Sequence, residues 1–224
     1  MNLKEYPDSE MMMLDVADAL ASEINSHLLS DDERVSFCVP GGTTPGPIFD
    51  VLSAQSLDWD RVSVFLSDER WLPEDNPRSN TRLIRERLLT DKAAAAHLVP
   101  LYAPVETPEE AIESLSESLR PHLPITLLLL GMGADMHTAS LFPGADRLED
   151  ALSDSRAVLM PMRAPGAEEP RVTLTAPVLS AAVSTHIVIT GDAKRAALER
   201  AQSLPVSEAP VRAVLNGATV HWAP

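Results

Sequence analysis

The run Ile125-Thr126-Leu127-Leu128-Leu129-Leu130 is apolar without alternation and ends at a glycine. A strand with one wet face alternates with a period of two, whereas a strand covered on both faces does not. Coverage on both faces is the mark of a parallel sheet layered between helices, and it puts residues 125–130 near the sheet's centre. The rest of the chain supplies the partners. Short runs rich in β-branched and apolar residues predict strands at 35–39, 62–66, 98–101, 157–160, 172–175, 186–190 and 211–215. Stretches of helical period lie at 47–52, 80–89, 108–119, 176–182 and 193–202. An opening helix is expected over 8–29, where Met13, Val16, Leu20, Ile24 and Leu28 share one face and Asp8 or Ser9 caps the start. This order predicts an α/β fold: a mostly parallel open sheet flanked by helices on both faces. The proline-rich joints at 161–170 and 205–210 are short and mark no change of composition, so residues 1–224 are expected to form a single domain.

A chain of 224 residues can bury a core that stands without disulfides, and the single Cys38 has no internal partner. Its expected role is packing. No apolar run approaches the roughly 20 residues that a membrane span needs. The opening Met1-Asn2-Leu3-Lys4-Glu5-Tyr6-Pro7 lacks the basic start and apolar stretch of a secretory signal, so a cytoplasmic location and no membrane partner are expected. A formal net charge of -15 argues against nucleic acid, whose backbone calls for clustered Lys and Arg. Acidity does not forbid a small anionic ligand: exposed charges are screened beyond about 8 Å at physiological salt, so the groups touching the ligand decide.

Ligands of open parallel sheets bind beyond the carboxyl ends of the strands, and four predicted strand ends carry chemistry. After 35–39 comes Pro40-Gly41-Gly42-Thr43-Thr44-Pro45-Gly46, where paired glycines expose backbone N–H groups, threonines add hydroxyls and a helix N-terminus follows. It has the character of a phosphate cradle, without the Lys-Ser/Thr ending of a nucleotide loop. After 62–66 comes Ser67-Asp68-Glu69-Arg70, in which Arg70 offers a planar fork of donors to a phosphate and the acids offer it an internal ion pair. After 125–130 comes Gly131-Met132-Gly133-Ala134-Asp135-Met136-His137-Thr138-Ala139-Ser140-Leu141-Phe142-Pro143. There His137, two residues from an acid and beyond a Gly-x-Gly turn, is placed to act as a base near neutral pH. Ser140 lacks the Gly-x-Ser-x-Gly setting of a nucleophile. After 186–190 comes Gly191-Asp192-Ala193-Lys194, with Lys194 in a helix's first turn, where an anion facing it would explain a placement the helix dipole disfavours. The six histidines show no His-x-x-x-His pair, and Asp135 with His137 make too few ligands, so no metal is expected.

Taken in order, Gly41-Gly42-Thr43-Thr44-Pro45, Asp68-Glu69-Arg70 with Ser79-Asn80, Leu129-Leu130-Gly131-Met132-Gly133 through His137-Thr138-Ala139-Ser140-Leu141-Phe142-Pro143, Arg171-Val172-Thr173-Leu174-Thr175, and Gly191 with Lys194 resemble the family of 6-phosphogluconolactonases and glucosamine-6-phosphate deaminases. The resemblance implies a Rossmann-like fold of the glucosamine-6-phosphate deaminase, ribose-5-phosphate isomerase and CoA-transferase type. It implies hydrolysis of a small phosphorylated sugar lactone, without cofactor, by a monomer or weak homodimer. It also implies roles: His137 as catalytic base with Asp68 beside it, and Gly41, Gly42, Thr43, Thr44, Arg70, Arg171 and Lys194 on the substrate and its phosphate. The chain departs from the family at Met136, where glycine is usual, and at Arg78, where an acid is common. Two rival readings are an amino-sugar-phosphate deaminase or isomerase on the same fold and a non-catalytic phosphosugar-binding protein. The Thr138-Ala139-Ser140-Leu141 string disfavours the first, and the lack of a recognisable partner segment disfavours the second.

Overall fold

The computed structural model describes residues 1–30, 34–153 and 156–224. In chain order its elements are β1 (Asn2–Glu5), α1 (Ser9–Ser30), β2 (Val35–Val39), α2 (Gly46–Ser53), β3 (Val62–Leu66), β4 (Asp68–Arg70), α3 (Asn80–Arg87), β5 (His97–Leu98), α4 (Ile112–Leu119), β6 (Leu127–Gly131), α5 (Leu148–Ser153), β7 (Leu159–Met162), β8 (Arg171–Leu174), α6 (Ala176–Ser180), β9 (Ser184–Thr190), α7 (Asp192–Ala201) and β10 (Thr219–Ala223).

Seven strands form one sheet in the order β1-β10-β9-β6-β2-β3-β5, and every neighbouring pair is parallel. The non-alternating run sits at the middle as β6, and its four leucines are fully buried, as coverage on both faces requires. The chain winds outward from the centre in both directions: β2 leads to β3 and β5, and β6 leads to β9 and β10. The β2–β6 boundary is therefore the topological switch point, where the loops leaving adjacent strands part and open a crevice. Helix α1 starts where Asp8 Oδ1 accepts the Met11 N–H at 2.8 Å and buries the expected stripe from Met13 to Leu28. It packs on α2 and against β2, β6 and β10.

A second sheet, β4-β8-β7, is small and antiparallel, with Asp68 opposite Thr173 and Arg70 opposite Arg171. The predicted strands at 157–160 and 172–175 belong here rather than to the main sheet, the first shifted to Leu159–Met162. β4 carries three charged residues and is held by a buried clamp. Glu69, fully buried, accepts the N–H groups of Arg70, Asn80 and Thr81 at 2.7, 2.8 and 2.7 Å and the Thr81 hydroxyl at 2.6 Å. Burial pushes its carboxyl above the usual range, and these bonds pull the other way. The clamp ties β4 to the start of α3, and strand alternation turns Asp68 and Arg70 to the face opposite Glu69.

Two further sequence expectations need correction. Residues 211–215 are not a strand: Pro210–Val214 is a 3-10 turn, opened by Pro210, with Arg212 N–H bonded to the Ala209 carbonyl at 2.9 Å. The sheet strand comes later, as β10, whose central His221 is fully buried and bonded at 2.9 Å both to the Tyr6 hydroxyl and to His186. Burial pushes the His221 pKa down to about 4, so the ring sits neutral in the core. The predicted strand 98–101 shrinks to His97–Leu98 because Pro100 offers no N–H to continue the ladder.

Replacing Glu69 with Ala leaves several buried donors without an acceptor and is expected to cost about 3 kcal/mol of folding stability, measured by urea denaturation. A loss within a few tenths would mean that water satisfies those donors equally well.

Candidate active site

The parallel sense of the sheet brings the four chemistry-bearing strand ends to one edge, where they line a cleft of about 210 Å³. Gly41, Gly42 and Thr44 come from the loop after β2, Asp68 and Arg70 from β4, and Gly131, Gly133 and His137 from the loop after β6. Arg171 of β8 and Lys194 of α7 complete it. Thr43, grouped with these by sequence, is exposed and does not line the cleft; its carbonyl accepts the Gly46 N–H at 3.2 Å.

One part of the cleft gathers donors and positive charge. Helix α3 has its N-terminus closed by the Ser79 hydroxyl, but α2 and α7 begin without a side-chain cap, which leaves their positive dipole ends without a partner from a capping side chain. Gly42 takes φ 83, and Gly42, Thr43 and Thr44 donate no backbone hydrogen bond among the described residues. Lys194 has no hydrogen bond or ion pair among the described residues. The Nε donors of Arg70 and Arg171 are buried without an acceptor. Burial holds the Arg171 guanidinium below its usual pKa, and the neighbouring Asp68 carboxylate opposes that effect.

The β6 end carries an oriented imidazole. His137 Nδ1 lies 2.5 Å from Asp135 Oδ1, and an ionised carboxylate only accepts, so Nδ1 carries the proton and Nε2 presents its lone pair. The same bond holds the Asp135 carboxyl below its usual range. Gly133 is required by close approach: a Cβ there would stand 2.2 Å from His137 Nδ1 and 2.4 Å from Asp135 Oδ1. Its N–H is engaged by the His137 carbonyl at 3.0 Å, so Gly133 is not a free donor to a ligand. Met136 adopts φ 67, the left-handed conformation that glycine accepts at no cost. The loop thus keeps a glycine-type backbone with methionine in place, and the Met136 carbonyl is tied to the Val211 N–H at 3.1 Å. Phe142 lies against His137, with ring centroids 4.3 Å apart, and beneath the Arg171 guanidinium at 5.3 Å.

Asp68 is anchored by the hydroxyls of Ser140 at 2.6 Å and Ser67 at 3.1 Å. The Ser140 hydroxyl is therefore engaged in positioning an acid. Two further residues belong to the site. Asn80 lines the cleft and fills the space beside Gly41, donating to the Asp68 carbonyl at 3.0 Å. Asp135 orients the base, and its signal was the two-residue spacing from His137. Among the described residues no three His, Cys, Asp or Glu side chains converge as a metal site would need.

The family model described as glucosamine-6-phosphate isomerases/6-phosphogluconolactonase matches residues 7–222. A 6-phosphogluconolactonase of Rhizobium meliloti (strain 1021) is 41% identical over 220 residues, covering 93% of this chain and 94% of that one. One from Pseudomonas aeruginosa is 40% identical over 215 residues, covering 93% and 90%. Among solved structures, a 6-phosphogluconolactonase from Shewanella baltica superposes with a TM-score of 0.96 at 30% identity, covering 100% of this chain and 98% of that one.

Removing either cation of the cleft, by Arg70→Ala or Lys194→Ala, is expected to weaken binding of inorganic phosphate roughly tenfold in calorimetry, the scale of one charge-assisted hydrogen bond. Unchanged affinity in both variants would place the anion elsewhere.

Proposed function

The chain belongs to the glucosamine-6-phosphate isomerase/6-phosphogluconolactonase family, and we propose, from that membership and the cleft, that His137 is the general base in its hydrolysis of 6-phospho-D-glucono-1,5-lactone to 6-phospho-D-gluconate. The reaction belongs to the oxidative pentose phosphate pathway. The observation that carries the residue assignment is the Asp135-held imidazole, with Nε2 free, in the same cleft as two uncapped helix starts, the unpaired Lys194 and the unbonded Nε donors of Arg70 and Arg171.

A six-membered lactone has an electrophilic carbonyl and opens slowly unaided, so positioning and proton transfer are the main demands. Phosphate held by the Gly41–Thr44 loop, Arg70 and Lys194 directs the ring toward His137. Nε2 takes a proton from water as its oxygen bonds to C1, giving a tetrahedral oxyanion and an imidazolium that Asp135 stabilises. Collapse of that intermediate breaks the bond from C1 to the ring oxygen. The imidazolium returns its proton to that oxygen, and the new acid ionises. Asp68 and Arg171 arrange the pocket between the two ends. No step calls for a metal or cofactor. The chain works as a single domain in the cytoplasm, as a monomer or weak homodimer.

A deaminase reading has less support. The monomeric glucosamine-6-phosphate deaminase that superposes with a TM-score of 0.78 is 15% identical, a likeness of fold alone.

His137→Ala is expected to lose roughly 10²–10⁴-fold of the catalysed rate, followed as decay of fresh 6-phosphogluconolactone above its spontaneous background. Asp135→Asn presents an amide donor to Nδ1, shifts the proton to Nε2 and is expected to lower kcat roughly 10²-fold with little change in KM. Near-parental rates in both variants would remove the imidazole from the reaction.

A further inference from the structure

Beside the cleft lies one carboxylate with no part in the mechanism above, and three arginines surround it. Glu169 lies two residues before Arg171 and is 8% exposed. Its Oε2 is 2.6 Å from Arg78 Nη2. Its Oε1 faces Arg70 Nε at 3.7 Å and Arg171 Nη2 at 3.8 Å, both beyond hydrogen-bond reach. Glu169 Oε1, Arg70 Nε and Arg171 Nε are all buried without a hydrogen-bond partner. Buried charged groups are ordinarily fully bonded; here the charges are adjacent and the bonds are withheld. Arg78 spans the arrangement. Its carbonyl accepts Arg70 Nη1 at 2.9 Å, while its guanidinium pairs with Glu168 and with Glu169.

We propose that Glu169 is an internal counter-anion of the cleft, and that Arg78 is a positioning residue that holds it short of bonding to Arg70 and Arg171 so that both stay open to a phosphate monoester. The proposal rests on the cleft being the phosphosugar site. Glu169 keeps neighbouring guanidinium groups from repelling one another while the site is empty, and it opposes the incoming dianion once the site fills. Affinity is thereby held down. That suits a reaction whose product bears a carboxylate as well as the phosphate and must leave. Arg78 acts in the opposite sense: without its grip on Oε2, the carboxylate can close the gap of under one ångström to hydrogen-bonding distance and compete with phosphate for the same donors.

The two residues therefore have effects of opposite sign, which a purely structural role would not give. Calorimetric affinities for inorganic phosphate and for 6-phosphogluconate are compared among the parent, Glu169→Gln, Arg78→Gln and the double variant, with thermal unfolding as a check of the fold. Glu169→Gln is expected to bind both ligands roughly tenfold more tightly and Arg78→Gln roughly tenfold more weakly, as for one charge a few ångströms from the ligand. The double variant is expected to match Glu169→Gln, because no carboxylate remains to close. KM for the lactone follows the same order while kcat moves little. Glu169→Gln binding no tighter than the parent overturns the proposal. So does an Arg78→Gln loss that persists in the double variant, since Arg78 would then touch the phosphate itself. If Glu169→Gln does not fold, Glu169→Ala takes its place, alone and in the double variant, and the same outcomes support or overturn the proposal. A parent that binds phosphate in this pattern but does not open the lactone would contradict the proposed reaction and leave the counter-anion standing.

Discussion

A parallel sheet sends the carboxyl ends of all its strands to one edge, and the whole site depends on that constraint. The strands that build the centre, β2, β3 and β6, are buried along both faces and have no wet side on which to carry chemistry. Function is confined to the residues just past their ends. Because strand order reverses between β6 and β2, the Gly41–Thr44 loop and the His137 loop diverge there and leave a crevice between them. The small antiparallel sheet adds what the main sheet lacks. Its register sets Arg70 directly opposite Arg171 and hangs Asp68 beside the β6 loop through Ser140.

A net charge of -15 does not contradict an anion site in this cleft. The carboxylates nearest the cleft have their own partners: Glu69 on the start of α3, Asp68 on two hydroxyls, Asp135 on the imidazole and Glu169 on Arg78. The Lys194 ammonium and the Nε donors of Arg70 and Arg171 are left unbonded. Local bonding rather than overall charge decides what enters, as screening over about 8 Å leads one to expect.

Much of this was legible in the sequence because its signals are local. The strands at 35–39 and 62–66 are bounded by Pro40 and Ser67 and appear unchanged as β2 and β3. The opening helix shows the expected stripe and its Asp8 cap. The elements that escaped are those whose stability is tertiary. β1 is an edge strand of mostly exposed polar residues that pairs with β10. β10 hides behind His221, a polar residue that sits in the core because Tyr6 and His186 satisfy both ring nitrogens. β4 is three charged residues that no propensity assigns to a strand, and only the Glu69 clamp on α3 explains it. Val211–Val214 has a strand's composition, yet Pro210 starts a turn that ties to Met136. At the site, the glycine loop, Arg70, His137 and Lys194 were legible from their places after strands. Asn80 was legible only as part of a motif, without a role, and Glu169 not at all, since each meets its partner, Asp68 and Arg78 respectively, through contacts distant in sequence.

The central claim is that one small molecule bridges the anion-binding end and the imidazole at the same time. A crystal structure with 6-phosphogluconate bound tests it most directly. The expected result places the phosphate against Gly42, Arg70 and Lys194 and the C1 carboxylate beside His137 Nε2. A ligand whose C1 end points away from His137, or whose phosphate lies outside the glycine loop, would contradict the account.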